Sequence, residues 1–170
     1  MKIIVTGGAG FIGSTLTDAL LARGESVAVI DDFNDFYDPS LKRENVAAFE
    51  SNPRFSLHEF DIRDTRKVAE AFKAERPDAV VHLAARAGVR PSIQEPLLYG
   101  EVNCIGTLNL LEAARPIGLK NFVFASSSSV YGLNSKVPFS EQDPITCPIS
   151  PYASTKRAGE LMCFTYSHLY

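Results

Sequence analysis

An α/β domain with a doubly wound parallel sheet is predicted by three observations on this chain. Short apolar strand patterns alternate with helical patterns along its whole length. A glycine cluster at Gly7, Gly10 and Gly13 joins the first strand to the first helix, and an acidic pair, Asp31-Asp32, closes the second strand about 20 residues further on. Apolar strands in alternation with helices imply a sheet covered on both faces. In such a sheet ligands gather outside the carboxyl ends of the strands, at the point where strand order reverses.

The elements follow in order. Lys2–Thr6 is a strand, and Gly7-Gly8-Ala9-Gly10-Phe11-Ile12-Gly13 runs from it into a helix whose apolar positions are Leu16, Leu20 and Leu21. Gly7 permits the tight turn, Gly10 lets backbone approach a pyrophosphate, and Gly13 lets the helix pack closely. The first helical turn, Phe11 and Ile12 included, offers N–H groups and positive potential to an anion. Taken alone, the glycines also fit a simple turn. Ser26–Ile30 is the second strand. Asp31 at its end is expected to accept hydrogen bonds from the adenosine ribose hydroxyls and to repel a 2′-phosphate, which favours NAD over NADP, with Asp32 a solvated neighbour and Asn34 in the same loop.

A helix opens at Pro39, followed by a strand over Phe55–Phe60, a helix from Asp64 and a strand over Ala79–Leu83. A single long helix is predicted from about Ser92 to Ala114, then a strand over Phe122–Ser126 and a helix from Pro151 with Ser150 as its N-cap. Asp61 and Ile62, just past the third strand, are placed to cover an adenine ring. Leu83, Ala84 and Ala85, past the fourth, offer small residues where backbone runs close to a dinucleotide.

Composition sets bounds. The chain has 170 residues, 45% hydrophobic and 22% charged, with net charge −3, no apolar stretch long enough for a membrane and no basic patch for nucleic acid. Cys104, Cys147 and Cys163 lack metal or redox spacing. His58, His82 and His168 stand singly and read as structural residues. Met1 leads straight into a strand rather than a signal segment, so the expected location is the cytoplasm.

The chemistry concentrates at Tyr152-Ala153-Ser154-Thr155-Lys156. At a spacing of i, i+4 the phenol and the ammonium share a helix face, and the cation favours the phenolate, as does the positive charge of an oxidised nicotinamide. Such a phenol can take a proton from a sugar hydroxyl while hydride leaves the same carbon. A packed tyrosine beside a solvated lysine would show the same spacing, so the pair gains its meaning from the glycine turn and from the serine run Ser126 to Ser129.

Together, Thr6 to Gly13, Asp31-Asp32, Asp61-Ile62, Ser126 to Gly132 and Tyr152-x-x-x-Lys156 resemble the extended short-chain dehydrogenase/reductase family, in particular its NAD-dependent nucleotide-sugar epimerases and dehydratases. The segments Asp31 to Pro39, Ala87 to Ser92 and Ser126 to Gly132 look most like those of UDP-glucuronate 4-epimerases. The resemblance implies a Rossmann fold, NAD as cofactor and a UDP-sugar as substrate. It casts Tyr152 as general base and acid, Lys156 as the residue that orients the nicotinamide ribose, and Ser127 as the bridge from the sugar 4-hydroxyl to Tyr152. Dehydratases of the family carry Asp-Glu before the Val-Tyr-Gly, and decarboxylases carry Glu immediately before it. Here Ser128 and Ser129 occupy those positions, and neutral hydroxyls cannot serve as the extra acid and base that elimination needs.

A 4-keto glucuronate is a 3-keto acid prone to lose CO₂, so Ser128 and Ser129 are expected to restrain its carboxylate, with Arg90 as a candidate electrostatic partner. The resemblance also implies a homodimer joined through the helix near Ser92–Ala114 and the helix from Pro151. Leu108, Leu110, Leu111, Leu161 and Met162 suit either that interface or packing on the sheet. Asn103 fits the family's Asn-x-x-Gly-Thr, whereas Val102 stands where some sugar epimerases place a cofactor-contacting Asn. Residues 1–170 correspond to the cofactor-binding half of such proteins, which usually continue into a smaller substrate domain, and the piece alone is expected to bind cofactor more readily than it turns over.

Overall fold

A computed structural model describes all residues, 1–170. Five parallel strands, β1 (Lys2–Thr6), β2 (Ser26–Asp31), β3 (Phe55–Glu59), β4 (Ala79–His82) and β5 (Asn121–Phe124), lie in the order β3-β2-β1-β4-β5. The switch of direction falls between β1 and β4. Lys2–Thr6 pair with Ser26–Ile30 on one side, and Ile3–Thr6 pair with Ala79–His82 on the other. The helices are α1 (Phe11–Ala22), α2 (Pro39–Ala47), α3 (Thr65–Glu75), α4 (Val89–Gln94), α5 (Pro96–Tyr99), α6 (Thr107–Ala114) and α7 (Pro151–Leu169).

The strands are apolar at consecutive positions because both faces are covered. On one face Ile4, Ala28, Ile30 and Val80 pack with Val68 and Phe72 of α3 and with Leu110 of α6. On the other, Ile3, Val5, Val27 and Val29 pack with Leu21 of α1 and Val46 of α2. Helix starts are written in side chains. Asp64 Oδ1 accepts from Lys67 N at 3.0 Å, Asp38 Oδ1 from Ser40 N at 2.9 Å, and Ser150 Oγ from Ala153 N at 3.1 Å. No helix is long and apolar enough to cross a membrane.

The predicted single helix over Ser92–Ala114 is a correction. The segment starts earlier, at Val89, and breaks at Glu95, whose φ of −125° and ψ of 50° are imposed by Pro96. It then widens into a π-helix over Gly100–Gly106 before α6 resumes regular geometry. Strand ends also differ by one or two residues: β2 extends to Asp31, while β3, β4 and β5 end at Glu59, His82 and Phe124. The five apolar residues expected to suit either an interface or the sheet separate cleanly. Leu110 and Leu111 are buried, Leu108 and Met162 are half-buried, and Leu161 is exposed. Leu110 belongs to the core, so Leu110→Ala is expected to cost about 2–5 kcal/mol in urea denaturation. A loss below about 0.5 kcal/mol would contradict that packing.

Candidate active site

The carboxyl ends of all five strands converge on one rim. Gly7 N donates to Ile30 O at 2.8 Å, Leu83 N to Thr6 O at 3.1 Å and Ala125 N to His82 O at 3.1 Å, so the loops leaving β1, β4 and β5 start from fixed positions. The glycine turn is sterically obligatory at two places. Gly7 has φ +68°, and a Cβ there would lie 2.8 Å from Ala84 N. A Cβ on Gly13 would lie 2.2 Å from Gly7 O, so α1 can seat against the turn only without one. Phe11 and Ile12 begin α1 with exposed side chains, and the N–H groups of this first turn have no partner within the helix.

A cleft of about 210 Å³ opens beside the turn, lined by Gly7, Gly10, Asp31, Asp32, Asn34, Asp61, Ile62, Leu83, Ala84 and Ala85 among others. Each of these residues is marked by the sequence. Asp31 is only 6% exposed, and both its oxygens work inside the protein. Oδ2 accepts from Ala9 N at 3.1 Å, anchoring the glycine turn, and Oδ1 accepts from Phe33 N at 3.0 Å. Asp32, expected as a solvated neighbour, lines the cleft with its side chain 29% exposed, and its Oδ1 accepts from Asn34 N and Nδ2. Between them and α2, Phe33 holds φ +47°, an uncommon conformation for an aromatic residue, beneath the Arg43 guanidinium at 3.7 Å. Asp61 is largely committed to Arg63. Burial alone would raise its pKa, but hydrogen bonds from the Arg63 side chain and backbone, with the charges of Arg63 and Arg86, hold it below the ordinary carboxylate range.

At the other end of the rim α7 carries Tyr152 and Lys156. Lys156 is 4% exposed, its Nζ donates to Ala125 O at 2.9 Å, and it sits 5.1 Å from the centre of the Phe124 ring. Desolvation lowers it from the ordinary 10.5 to about 8. The Tyr152 ring stands edge-on to Tyr99 at 6.2 Å. Ser127 Oγ accepts from Ser129 N at 3.2 Å and makes no direct hydrogen bond with Tyr152. Ser128 is exposed and Ser129 half-buried. Arg90 is exposed on α4 without an ion pair.

Two features are not apparent from the sequence. Asn103, 2% exposed on the π-helix, accepts from Arg86 N at 2.8 Å and donates to Arg86 O at 3.0 Å and to Thr155 Oγ1 at 3.0 Å. It thereby ties the cleft wall to the helix of Tyr152 and Lys156. His82, 1% exposed, bridges Thr6 Oγ1 at 2.7 Å and Thr107 Oγ1 at 2.9 Å. Desolvation, and next the Lys156 charge, depress it to about 3, so it stays neutral. The only prior sign of these roles is the family-like Asn-x-x-Gly-Thr spelling.

The family model described as GDP-mannose 4,6 dehydratase matches residues 4–170. The chain belongs to this family of NAD-dependent epimerases and dehydratases. Among family members, UDP-glucuronate 4-epimerase 4 of Arabidopsis thaliana is 47% identical over 171 residues, covering 100% of this chain and 39% of its own length. The structure of UDP-glucuronic acid 4-epimerase from Bacillus cereus, in complex with UDP-glucuronic acid and NAD, superposes with a TM-score of 0.91 at 40% identity. The match covers 100% of this chain and 53% of that one. The UDP-glucose 4-epimerase of Thermus thermophilus, in complex with NAD, gives a TM-score of 0.88 at 41% identity, covering 100% and 52%. The chain thus spans about half or less of the length of these relatives.

The buried lysine makes a signed statement about pH. Below about pH 8 the folded and unfolded chains both carry its proton and the desolvation cost is complete. Between about 8 and 10.5 the unfolded chain binds more protons, so this group adds stability as pH rises. Lys156→Met is therefore expected to be more stable than the parent at pH 7, on the order of 1 kcal/mol by urea denaturation, with the advantage shrinking toward pH 10. A constant difference across that range would contradict the assigned burial.

Proposed function

We propose that the protein to which this chain belongs is an NAD-dependent nucleotide-sugar 4-epimerase that interconverts UDP-glucuronate and UDP-galacturonate. The observation that carries the reading is a buried Lys156 on the Tyr152 helix, held on Ala125 O just before a serine run that carries no carboxylate at position 128 or 129. The cleft fits a dinucleotide, since the glycine turn leaves no room for side chains at Gly7 and Gly13 and an acidic pair stands at its ribose end. NAD supplies the hydride acceptor and donor. The chain's residues do the rest.

Tyr152 takes the proton of the sugar 4-hydroxyl and later returns it. Lys156 supplies positive potential from a site where one donor is fixed on Ala125 O, leaving two of its three N–H groups for the nicotinamide ribose. Ser127 Oγ already accepts from Ser129 N, so its own proton is free for donation to the sugar oxygen. The planar 4-keto sugar then turns over in the site and receives hydride on its other face, so the cofactor is regenerated. Ser128 and Ser129 hold the uronate carboxylate away from the geometry that releases CO₂, with Arg90 of α4 as the proposed counter-charge. The reading extends to a cytoplasmic homodimer acting in polysaccharide precursor supply, with the sugar nucleotide held by chain beyond residue 170.

An NMR assay of the full-length protein with UDP-glucuronate, UDP-glucose and UDP-galactose, without added NADH, tests this. UDP-galacturonate is the expected product, with Ser128→Ala releasing more UDP-pentose. Turnover of the neutral sugars alone would instead assign a UDP-glucose 4-epimerase, as in the Thermus neighbour. Pentose as the main parental product would overturn the role given to the serines.

A further inference from the structure

The face of α7 that carries Tyr152 and Lys156 runs on to Gly159 and Glu160, at i+7 and i+8 from the tyrosine, and it grips the end of β5 at three successive residues. A Cβ on Gly159 would lie 2.3 Å from Phe124 Cζ, so bare backbone seats the Phe124 ring. Lys156 Nζ donates to Ala125 O at 2.9 Å. Ser126 Oγ donates to Glu160 Oε1 at 2.5 Å, and Oε2 of the same carboxylate accepts from Arg157 Nη1 at 2.8 Å, which limits its rotation. The third grip lies beyond the sheet. The ladder to β4 ends where Ala125 N donates to His82 O at 3.1 Å, and the next backbone hydrogen bond is Val130 N to Ser127 O at 3.1 Å. Ser126 is exposed, and for residues 126 and 127 its hydroxyl makes the one hydrogen bond to another element.

We propose that Glu160 is a positioning residue: through the Ser126 hydroxyl it fixes the backbone that carries Ser127 against the helix face that carries Tyr152. This deepens the epimerase reading above and rests on it, since that reading gives the sugar 4-hydroxyl to Ser127 and Tyr152 together. Ser127 Oγ makes no direct hydrogen bond with Tyr152, so the separation of the two hydroxyls is set by the backbones that bear them. Glu160 belongs to one of those backbones, and its bond reaches the other one residue before Ser127. An exposed serine contributes little to stability. A reacting group misplaced by about 1 Å, in contrast, can cost on the order of 100-fold in rate, so a tie at this point bears on turnover more than on folding.

Steady-state kinetics with the UDP-sugar that the full-length parent turns over fastest, together with calorimetric binding of NAD, test this role. Ser126→Ala and Glu160→Ala are each expected to lower kcat about tenfold, with KM and the NAD dissociation constant within about twofold of the parent. Glu160→Gln keeps a side-chain oxygen that accepts from Ser126, and it is expected to retain most of kcat. Ser127→Ala supplies the background that separates positioning from structure. With the Ser127 hydroxyl gone there is nothing left to position, so adding Ser126→Ala is expected to lower kcat by less than about twofold further. A tenfold loss that persists in the Ser127→Ala background overturns the proposal, as does a Ser126→Ala protein with parental kcat or a Glu160→Gln protein no better than Glu160→Ala. A parent that binds NAD but turns over no UDP-sugar overturns the epimerase reading and this role with it, a result distinct from additive losses among the variants.

Discussion

The geometry of the site depends on the side-chain amide of Asn103. It satisfies both the N–H and the carbonyl of Arg86 and holds Thr155 Oγ1, which in turn donates to Tyr152 O at 2.8 Å. Three segments far apart in sequence are thereby fixed at one buried point: the loop after β4, the π-helix and the first turns of α7. Each bond is worth about 1 kcal/mol net, but a buried backbone group left unpaired costs about 1–3 kcal/mol, so the loss of one amide would be felt in all three segments. The π-helix belongs to the same device. One widened stretch, Gly100–Gly106, places Asn103 toward both partners and is followed at once by Thr107, whose hydroxyl donates to Asn103 O at 2.6 Å and meets His82.

The two ends of the rim are electrically opposite. At the end beside β2, Asp31 and Asp32 outnumber Lys42. At the other, Lys156 is buried against Phe124 beside a histidine that desolvation keeps uncharged. A neutral His82 can bridge Thr6 and Thr107 without adding a second cation next to Lys156. A parallel sheet makes this polarity possible, because every strand delivers its loop to the same edge and the chemistry is distributed over five loops rather than built into one.

Much of this was legible in the sequence where the physics is local. Gly7 and Gly13 announce themselves because no other residue fits a positive φ or a carbonyl contact at those positions. Ser150-Pro151 marks the start of α7, and the Tyr152–Lys156 spacing fixes a shared face. The break at Glu95 has a local sign in Pro96, which disfavours helical backbone in the residue before it. The π-helix left no periodic signal, because one extra residue per turn only shifts the phase. Asn103 and Thr155 were not legible as a set, since an amide and a hydroxyl acquire their roles from partners 17 to 52 residues away. Asp31 shows the mixed case: its position was read from spacing, but its hold on Ala9 N required the fold.

The proposed function makes hydride transfer at C4 of the sugar the step that Tyr152, Lys156 and Ser127 serve, and such a transfer leaves an isotopic signature distinct from epimerisation by deprotonation. The most direct measurement is NMR of the product formed by the full-length protein in D₂O from UDP-sugar protonated at C4. Hydride return from the cofactor predicts a product with hydrogen fully retained at C4 and no solvent deuterium there. Deuterium at C4 would contradict it and would mean that a carbon acid, rather than a hydride, is handled at this site.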